Sequence, residues 1–242
     1  MIVLRFLGVV LLTLYYGVRV YIYMRIQGNK SVFPIQAMDW AKKLLFICGV
    51  KLTVNNIYDT KLDHDYVVIP NHTSLIDIPV LIAVIPNIRI MYKRDLEKVP
   101  IFGWIMKNSP FIPLDRDDPK KALITIQKTI NSMVDGSSVV VFPEGTRASG
   151  EALGEFKRGA FYLAIKAKKP ILPVSIIGTH QVLPNSSICL RPYPVTVNIS
   201  KPIEVNDSLT RAEEKQLIKE VHTIVSELMT YDATNTELDT SK

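Results

Sequence analysis

Residues 67–79 read Val67-Val-Ile-Pro70-Asn71-His72-Thr-Ser-Leu-Ile-Asp77-Ile-Pro79. A branched apolar run closed by proline has the pattern of a buried strand, and the hydroxyl residues and carboxylate that follow suit the start of a helix. An apolar strand feeding a helix is the repeating unit of an α/β fold whose central sheet is mostly parallel and flanked by helices. Asn71 and His72 fall in the turn between the two elements, where catalytic groups are commonly delivered. With the helix starting near Thr73 or Ser74, Asp77 lies about one turn in, on the face that reaches back to the imidazole of His72. A carboxylate there would fix the ring tautomer and leave the other nitrogen as a general base near neutral pH. On this stretch alone a second reading stays open, a capped loop histidine with no chemical role.

Working outward, short apolar runs alternate with helical stretches after Asn55. Candidate strands are Tyr66 to Ile69, Arg89 to Tyr92, Phe111 to Leu114, Ser138 to Phe142, Ile171 to Ile177 and Val195 to Ile199, each bounded by Pro, Gly, Asn or a charge. Lys120 to Val134 is expected to be a helix opened by Asp117-Asp118-Pro119 and stopped by Asp135-Gly136. A second helix carries Leu217, Ile218, Val221, Ile224, Val225 and Leu228 on one face, with Thr210 and Glu213 upstream as a capping box. From Tyr231 onward the chain is polar and reads as a frayed tail.

The chain of 242 residues, 48% hydrophobic and 21% charged, suits one globular domain with an appendage. Its net charge of +6 sits entirely in residues 1–53, where Arg5, Arg19, Arg25, Lys30, Lys42, Lys43 and Lys51 face the single acid Asp39. Basic charge confined to the most apolar stretch argues for anionic lipid headgroups as the partner and against nucleic acid. The uncharged run from Phe6 to Val18 is short for a spanning helix, and no small-residue cleavage site follows it, so it is expected to stay in the mature protein. Ile35 to Val50 reads as an interfacial amphipathic helix. The expected organisation is therefore a two-helix membrane anchor at 1–53, an α/β domain at 54–230 and a flexible polar tail at 231–242. Cys48 and Cys189 argue neither for a disulfide framework nor for a zinc cluster and are consistent with a cytoplasmic-facing location.

No Gly-x-Ser-x-Gly elbow accompanies His72 and Asp77, so an acyl transfer here would use the substrate's own hydroxyl as nucleophile. The run Val139-Val-Val-Phe142-Pro-Glu144-Gly145-Thr146-Arg147 follows a strand with an acid, a glycine, a hydroxyl and an arginine, a set suited to a phosphate ester. Lys157 and Arg158 precede another expected helix, whose N–H groups would add to the same anion site.

Together these residues resemble the glycerolipid acyltransferase family, specifically the 1-acylglycerol-3-phosphate O-acyltransferases. The resemblance runs from Asn71 to Val174: Asn71-His72 with Asp77 matches the His-x4-Asp motif, followed by Phe111-Ile-Pro-Leu-Asp115-Arg116, Phe142-Pro-Glu-Gly-Thr-Arg147 and Ile171-Leu-Pro173-Val174. It implies that His72 takes the proton of the free sn-2 hydroxyl of 1-acylglycerol 3-phosphate (lysophosphatidic acid) while Asp77 orients the ring. The acceptor phosphate would lie against Arg116 and Arg147, and residues 171–174 would help line the acyl region. Asn71, Glu144, Gly145, Thr146, Lys93 and Lys157 complete the expected substrate-binding set, with a structural role inside its own block left open for Glu144 and a membrane-facing role left open for Lys157 and Arg158. The acyl donor would be acyl-CoA or acyl carrier protein, the product phosphatidic acid, with no metal or bound cofactor, and the location the cytoplasmic face of the cell membrane. Other acceptors, such as glycerol 3-phosphate or another lysolipid, a thioesterase, and a non-catalytic membrane-surface module are the alternatives. His64, His180 and His222 are expected to be bystanders.

Overall fold

The computed structural model describes residues 2–26, 28, 32–99, 102–115, 117–133, 137–148 and 152–231. Its centre is a seven-stranded sheet built from β1 (Lys51–Asn56), β2 (Val67–Pro70), β3 (Ile88–Lys93), β4 (Ile112–Leu114), β5 (Ser138–Val140), β6 (Ile171–Ile177) and β7 (Pro194–Ile199) in the order β1-β7-β6-β2-β5-β3-β4. All neighbours are parallel except β6 and β7. The α/β fold with a mostly parallel sheet is the expected one.

Six of the strands were legible in the pattern. The seventh, β1, alternates polar Lys51, Thr53 and Asn55 with apolar neighbours and pairs in parallel with β7 across Lys51↔Pro194 to Asn56↔Ile199. It forms an edge of the sheet, so its outer side faces solvent and it lacks the continuous apolar run that marks the inner strands. The sheet thus begins at Lys51, inside the stretch expected to belong to the anchor.

Side chains alternate across the sheet and divide the core in two. Val68, Ile90, Val140, Leu172 and Val174 meet α2 (Val32–Cys48) and α3 (Asp77–Val84) on one face. Val67, Ile69, Val139 and Ile171 meet α5 (Pro119–Ser132), α6 (Arg158–Ala167) and α8 (Arg211–Thr230) on the other, while the short α4 (Phe102–Asn108) precedes β4 and the short α7 (Thr179–Val182) follows β6. The caps follow the local rules: Asp118 accepts from the N–H groups of Lys120 and Lys121 to open α5, and Thr210 and Glu213 form the capping box of α8. α5 closes at Ser132 with Met133 as its cap, and the expected Asp135-Gly136 stop lies outside the described residues. Of the tail only Tyr231 is described.

α1 (Ile2–Tyr21) leaves Val3, Leu4, Leu11, Tyr15 and Val18 more than half exposed, and Val3–Met24 is long and apolar enough to cross a membrane by length and composition. α2 differs from the interfacial helix expected of it. Ala41, Leu44, Leu45 and Cys48 are buried in the main core against α3, and burial pushes the Cys48 thiol up to about 11, leaving it a neutral packing group. Polar side chains tie α1 to this core helix, with Trp40 donating to Thr13 and Lys43 donating to Tyr16 and Asp39.

Deleting residues 1–31 is therefore expected to leave a cooperative melting transition, whereas deleting 1–50 is expected to abolish it. Losing two buried leucines costs at least about 4 kcal/mol, a large share of a typical ~5–15 kcal/mol total. Thermal denaturation of both truncations followed by circular dichroism checks this, and a cooperative melt of the longer truncation contradicts it.

Candidate active site

β2 lies at the centre of the sheet with all four residues buried, and the chain leaves its carboxyl end through Asn71 and His72. The helix that follows starts at Asp77 rather than at Thr73 or Ser74, so residues 73–76 form a turn folded around the Asp77 carboxylate. One carboxylate oxygen, Oδ2, accepts from the N–H groups of Thr73 at 2.8 Å and Ser74 at 2.9 Å and lies 2.8 Å from His72 Nδ1. The other, Oδ1, accepts from the hydroxyl of Thr179. Asp77 is wholly buried, and four donors surround its side-chain oxygens. The carboxylate requires a proton on Nδ1 of His72, leaving the lone pair on Nε2, which has no hydrogen-bond partner among the described residues.

The turn after β5 fixes the same histidine from the other side. The Phe142 ring stacks on the imidazole with centroids 3.8 Å apart and planes at 22°. His72 N–H donates to Glu144 Oε1 at 2.7 Å, and His72 C=O accepts from Ala148 N–H at 2.8 Å. The second Glu144 oxygen accepts from Gly154 N–H at 3.0 Å. Burial drives the Glu144 carboxyl above its ordinary range, opposed by these two N–H bonds. Of the two roles expected of Glu144, the structural one is visible: its oxygens hold the backbone N–H groups of His72 and Gly154.

Asn71, expected in the substrate-binding set, is likewise bonded to the backbone. It is 1% exposed; its amide donates to Ile176 C=O at 2.9 Å and accepts from Ile176 N–H at 2.7 Å, extending the β2–β6 ladder by a side chain. Gly145 has φ +74, the left-handed conformation that lets the turn reverse, and the Lys157 side chain lies over it. Thr146 and Arg147 are exposed on that turn, and Lys157 is exposed beside it as the cap of α6, with its N–H donating to Pro143 C=O at 2.8 Å. Of the expected anion set, Thr146 and Arg147 lie exposed on this turn and Lys157 lies exposed beside it.

Arg158 is not part of it: its guanidinium pairs with Glu214 at 2.7 Å and ties α6 to α8. Lys93, at the end of β3, pairs with Asp95 at 2.9 Å. Arg116 lies outside the described residues; Asp115 beside it pairs with Arg94 at 2.8 Å. The 171–174 segment is a core strand and lines neither apolar cavity described below. His64 packs near Tyr66 at the far end of β2, and His222 packs edge-on against Phe156.

Two apolar cavities, 380 and 450 Å³, lie between the amino-terminal helices and the sheet domain. Leu75 and Ile78, from the turn and helix that carry the dyad, wall both, together with Thr13, Trp40, Phe102 and Ile105. The residue that sequence reasoning missed is Thr179. Its one legible signal is position: a hydroxyl just past the carboxyl end of a buried strand, after Gly178.

The acyltransferase family model matches residues 51–177. The chloroplastic 1-acyl-sn-glycerol-3-phosphate acyltransferase of Brassica napus is 34% identical over 142 residues, covering 58% of this chain and 41% of that protein. The enzyme of the same description from Cocos nucifera is 30% identical over 168 residues, 69% of this chain and 54% of that one. The chain thus spans about half the length of these curated relatives, or less. The crystal structure of the 1-acyl-sn-glycerophosphate acyltransferase PlsC from Thermotoga maritima superposes with a TM-score of 0.70 at 24% identity, covering 95% of this chain and 99% of that one, which establishes the shared fold.

Proposed function

Because the chain belongs to the acyltransferase family, we propose that it transfers a fatty acyl group from an acyl thioester to the sn-2 hydroxyl of 1-acylglycerol 3-phosphate, forming phosphatidic acid. The observation that carries this reading is a histidine held by Asp77 at Nδ1, with its Nε2 left unbonded among the described residues. Nε2 accepts the acceptor's O–H proton as the oxygen attacks the thioester carbonyl. The tetrahedral intermediate collapses with cleavage of the C–S bond, and the departing sulfur takes the proton back from the imidazolium. The hydroxyl of the substrate is the nucleophile, so the step uses no acyl-enzyme, metal or bound cofactor.

Arg147 and Lys157, with Thr146, supply cations and a hydroxyl for the acceptor phosphate on the turn that also holds His72, and Arg116 is assigned to the same phosphate. The donor is a thioester of coenzyme A or of acyl carrier protein. The apolar cavities walled by Leu75 and Ile78 support a site that takes long hydrocarbon chains. The names of the relatives support the acceptor assignment, since each is described as acting on 1-acyl-sn-glycerol 3-phosphate.

In this reading the protein sits on the cytoplasmic face of the cell membrane. The exposed apolar side of α1 lies in one leaflet and Arg5 and Arg19 reach its headgroups. The sheet domain adds Leu75, Trp104 and Ile188, all exposed, to the apolar surface.

Acyl transfer by purified protein in mixed micelles tests the reading. Lysophosphatidic acid is expected to be acylated well above glycerol 3-phosphate and a neutral lysolipid. Equal turnover of the neutral lysolipid would remove the phosphate assignment, and free fatty acid release without any acceptor would point to a thioesterase.

A further inference from the structure

Asp77 carries the histidine, and while the 73–76 turn holds one of its oxygens, what holds the other is not local to it. Thr179, 102 residues further along and wholly buried, donates its single hydroxyl proton to Asp77 Oδ1. Because that proton is committed, the second hydroxyl on it, Thr73 Oγ1 at 3.1 Å, must act as donor toward Thr179. The direction of the chain is therefore Thr73 to Thr179 to Asp77, ending at the oxygen His72 does not use. We infer that Thr179 is a positioning residue for the reaction, holding the Asp77 carboxylate in the rotamer that keeps His72 Nδ1 hydrogen-bonded and Nε2 directed at substrate.

Its placement depends on two features of the fold. β6 ends at Ile177 beside the parallel β2, so the residues after it emerge at the same carboxyl end of the sheet where His72 leaves it. Gly178 then turns the chain with φ +92, and a Cβ there would fall 2.2 Å from Pro194 C=O, so only glycine allows Thr179 its approach to Asp77. Ser74 reinforces the arrangement by donating to Leu183 C=O at 2.8 Å, which clamps the 73–76 turn to the segment that follows Thr179.

Removing the hydroxyl leaves Oδ1 of a fully buried carboxylate without a donor. The carboxylate becomes a more basic partner for His72 Nδ1–H, which favours imidazolium and raises the pH at which His72 titrates. The charged groups bonded to His72 are Asp77 from α3, at the ring, and Glu144 from the turn after β5, at the backbone N–H; Arg147 lies exposed further along that turn and Lys157 at the start of α6, and Thr179→Val changes none of them.

The inference rests on the proposed general-base role of His72, and the test separates the two. In detergent and without substrates, the titration of the four histidines is followed by nuclear magnetic resonance, with His72 assigned through His72→Ala. In parallel, kcat and KM are measured with lysophosphatidic acid. Thr179→Val is expected to move the His72 midpoint upward and to lower kcat about tenfold to hundredfold, with KM changed less than about twofold. Thr179→Ser, which keeps the hydroxyl, is expected to restore both. Thr179→Ala, smaller than the native side chain, gives the same readouts if the valine variant does not fold. An unmoved His72 midpoint together with wild-type kcat in a folded Thr179→Val or Thr179→Ala protein overturns the inference. So does a serine variant as impaired as the valine one. If the wild-type protein acylates no acceptor while the His72 midpoint still shifts, the functional reading has failed and the coupling of Thr179 to His72 stands.

Discussion

His72→Ala is expected to lower kcat by about 10³-fold, within the 10²–10⁴ range of a lost general base, while recovery on anionic vesicles stays at the wild-type level. The separation is possible because little of the fold hangs on the ring. The imidazole contributes one bond to Asp77 and a stack on Phe142, and it is 12% exposed. Without it, Asp77 still accepts from Thr73, Ser74 and Thr179, so no buried charge is left bare. The backbone bonds of residue 72 to Glu144 and Ala148 do not involve the side chain. A folded alanine variant that keeps a tenth or more of the wild-type kcat would remove His72 from the chemistry.

The second large effect is expected from Asp77→Asn, which separates charge from geometry. The oxygen of the new amide can take the place of Oδ2 and accept from His72 Nδ1–H and the two backbone N–H groups. Its NH2 then faces Thr179, whose hydroxyl can accept that bond and donate in turn to Thr73. Each former partner of the carboxylate keeps a bond, and one N–H of the buried amide is left without an acceptor, so the variant is expected to fold and to melt somewhat below wild type. What is lost is the negative charge that stabilises imidazolium as the proton is taken up, and kcat is expected to fall about 10²–10³-fold. A loss nearer 10⁴, the size associated with a wrongly held tautomer, would mean that the amide sits with its NH2 toward His72. Turnover and thermal denaturation on the same preparation check the prediction, and wild-type kcat in the asparagine protein would contradict it.

These two effects start from a site that was largely legible as a pattern. Val67 to Pro79 encodes a strand, a turn and a helix start within thirteen consecutive residues, and the histidine and carboxylate it carries are close in space because they are close in sequence. The caps of α5 and α8 were legible for the same reason, since a cap is a contact made within three residues. The apolar inner strands declared themselves by composition, and the acid-free, apolar opening of the chain declared α1.

What the tertiary structure alone decided are the contacts made between segments far apart. Asn71 and Glu144 carry the side chains expected of a binding site, yet Asn71 is spent on Ile176, 105 residues away, and Glu144 on His72, 72 residues away. Whether a polar side chain meets substrate or a buried N–H depends on which backbone group the fold leaves unpaired beside it, and no local periodicity reports that. The same holds for β1, whose partner lies near the other end of the chain, for α2, whose apolar face turned out to cover α3, and for Thr179. The sequence by itself determined six of the seven strands, the capped helices and the closeness of His72 to Asp77, because short-range sterics, capping and hydrophobic period specify them; the support of that pair was decided by how a parallel sheet brings the carboxyl ends of distant strands together.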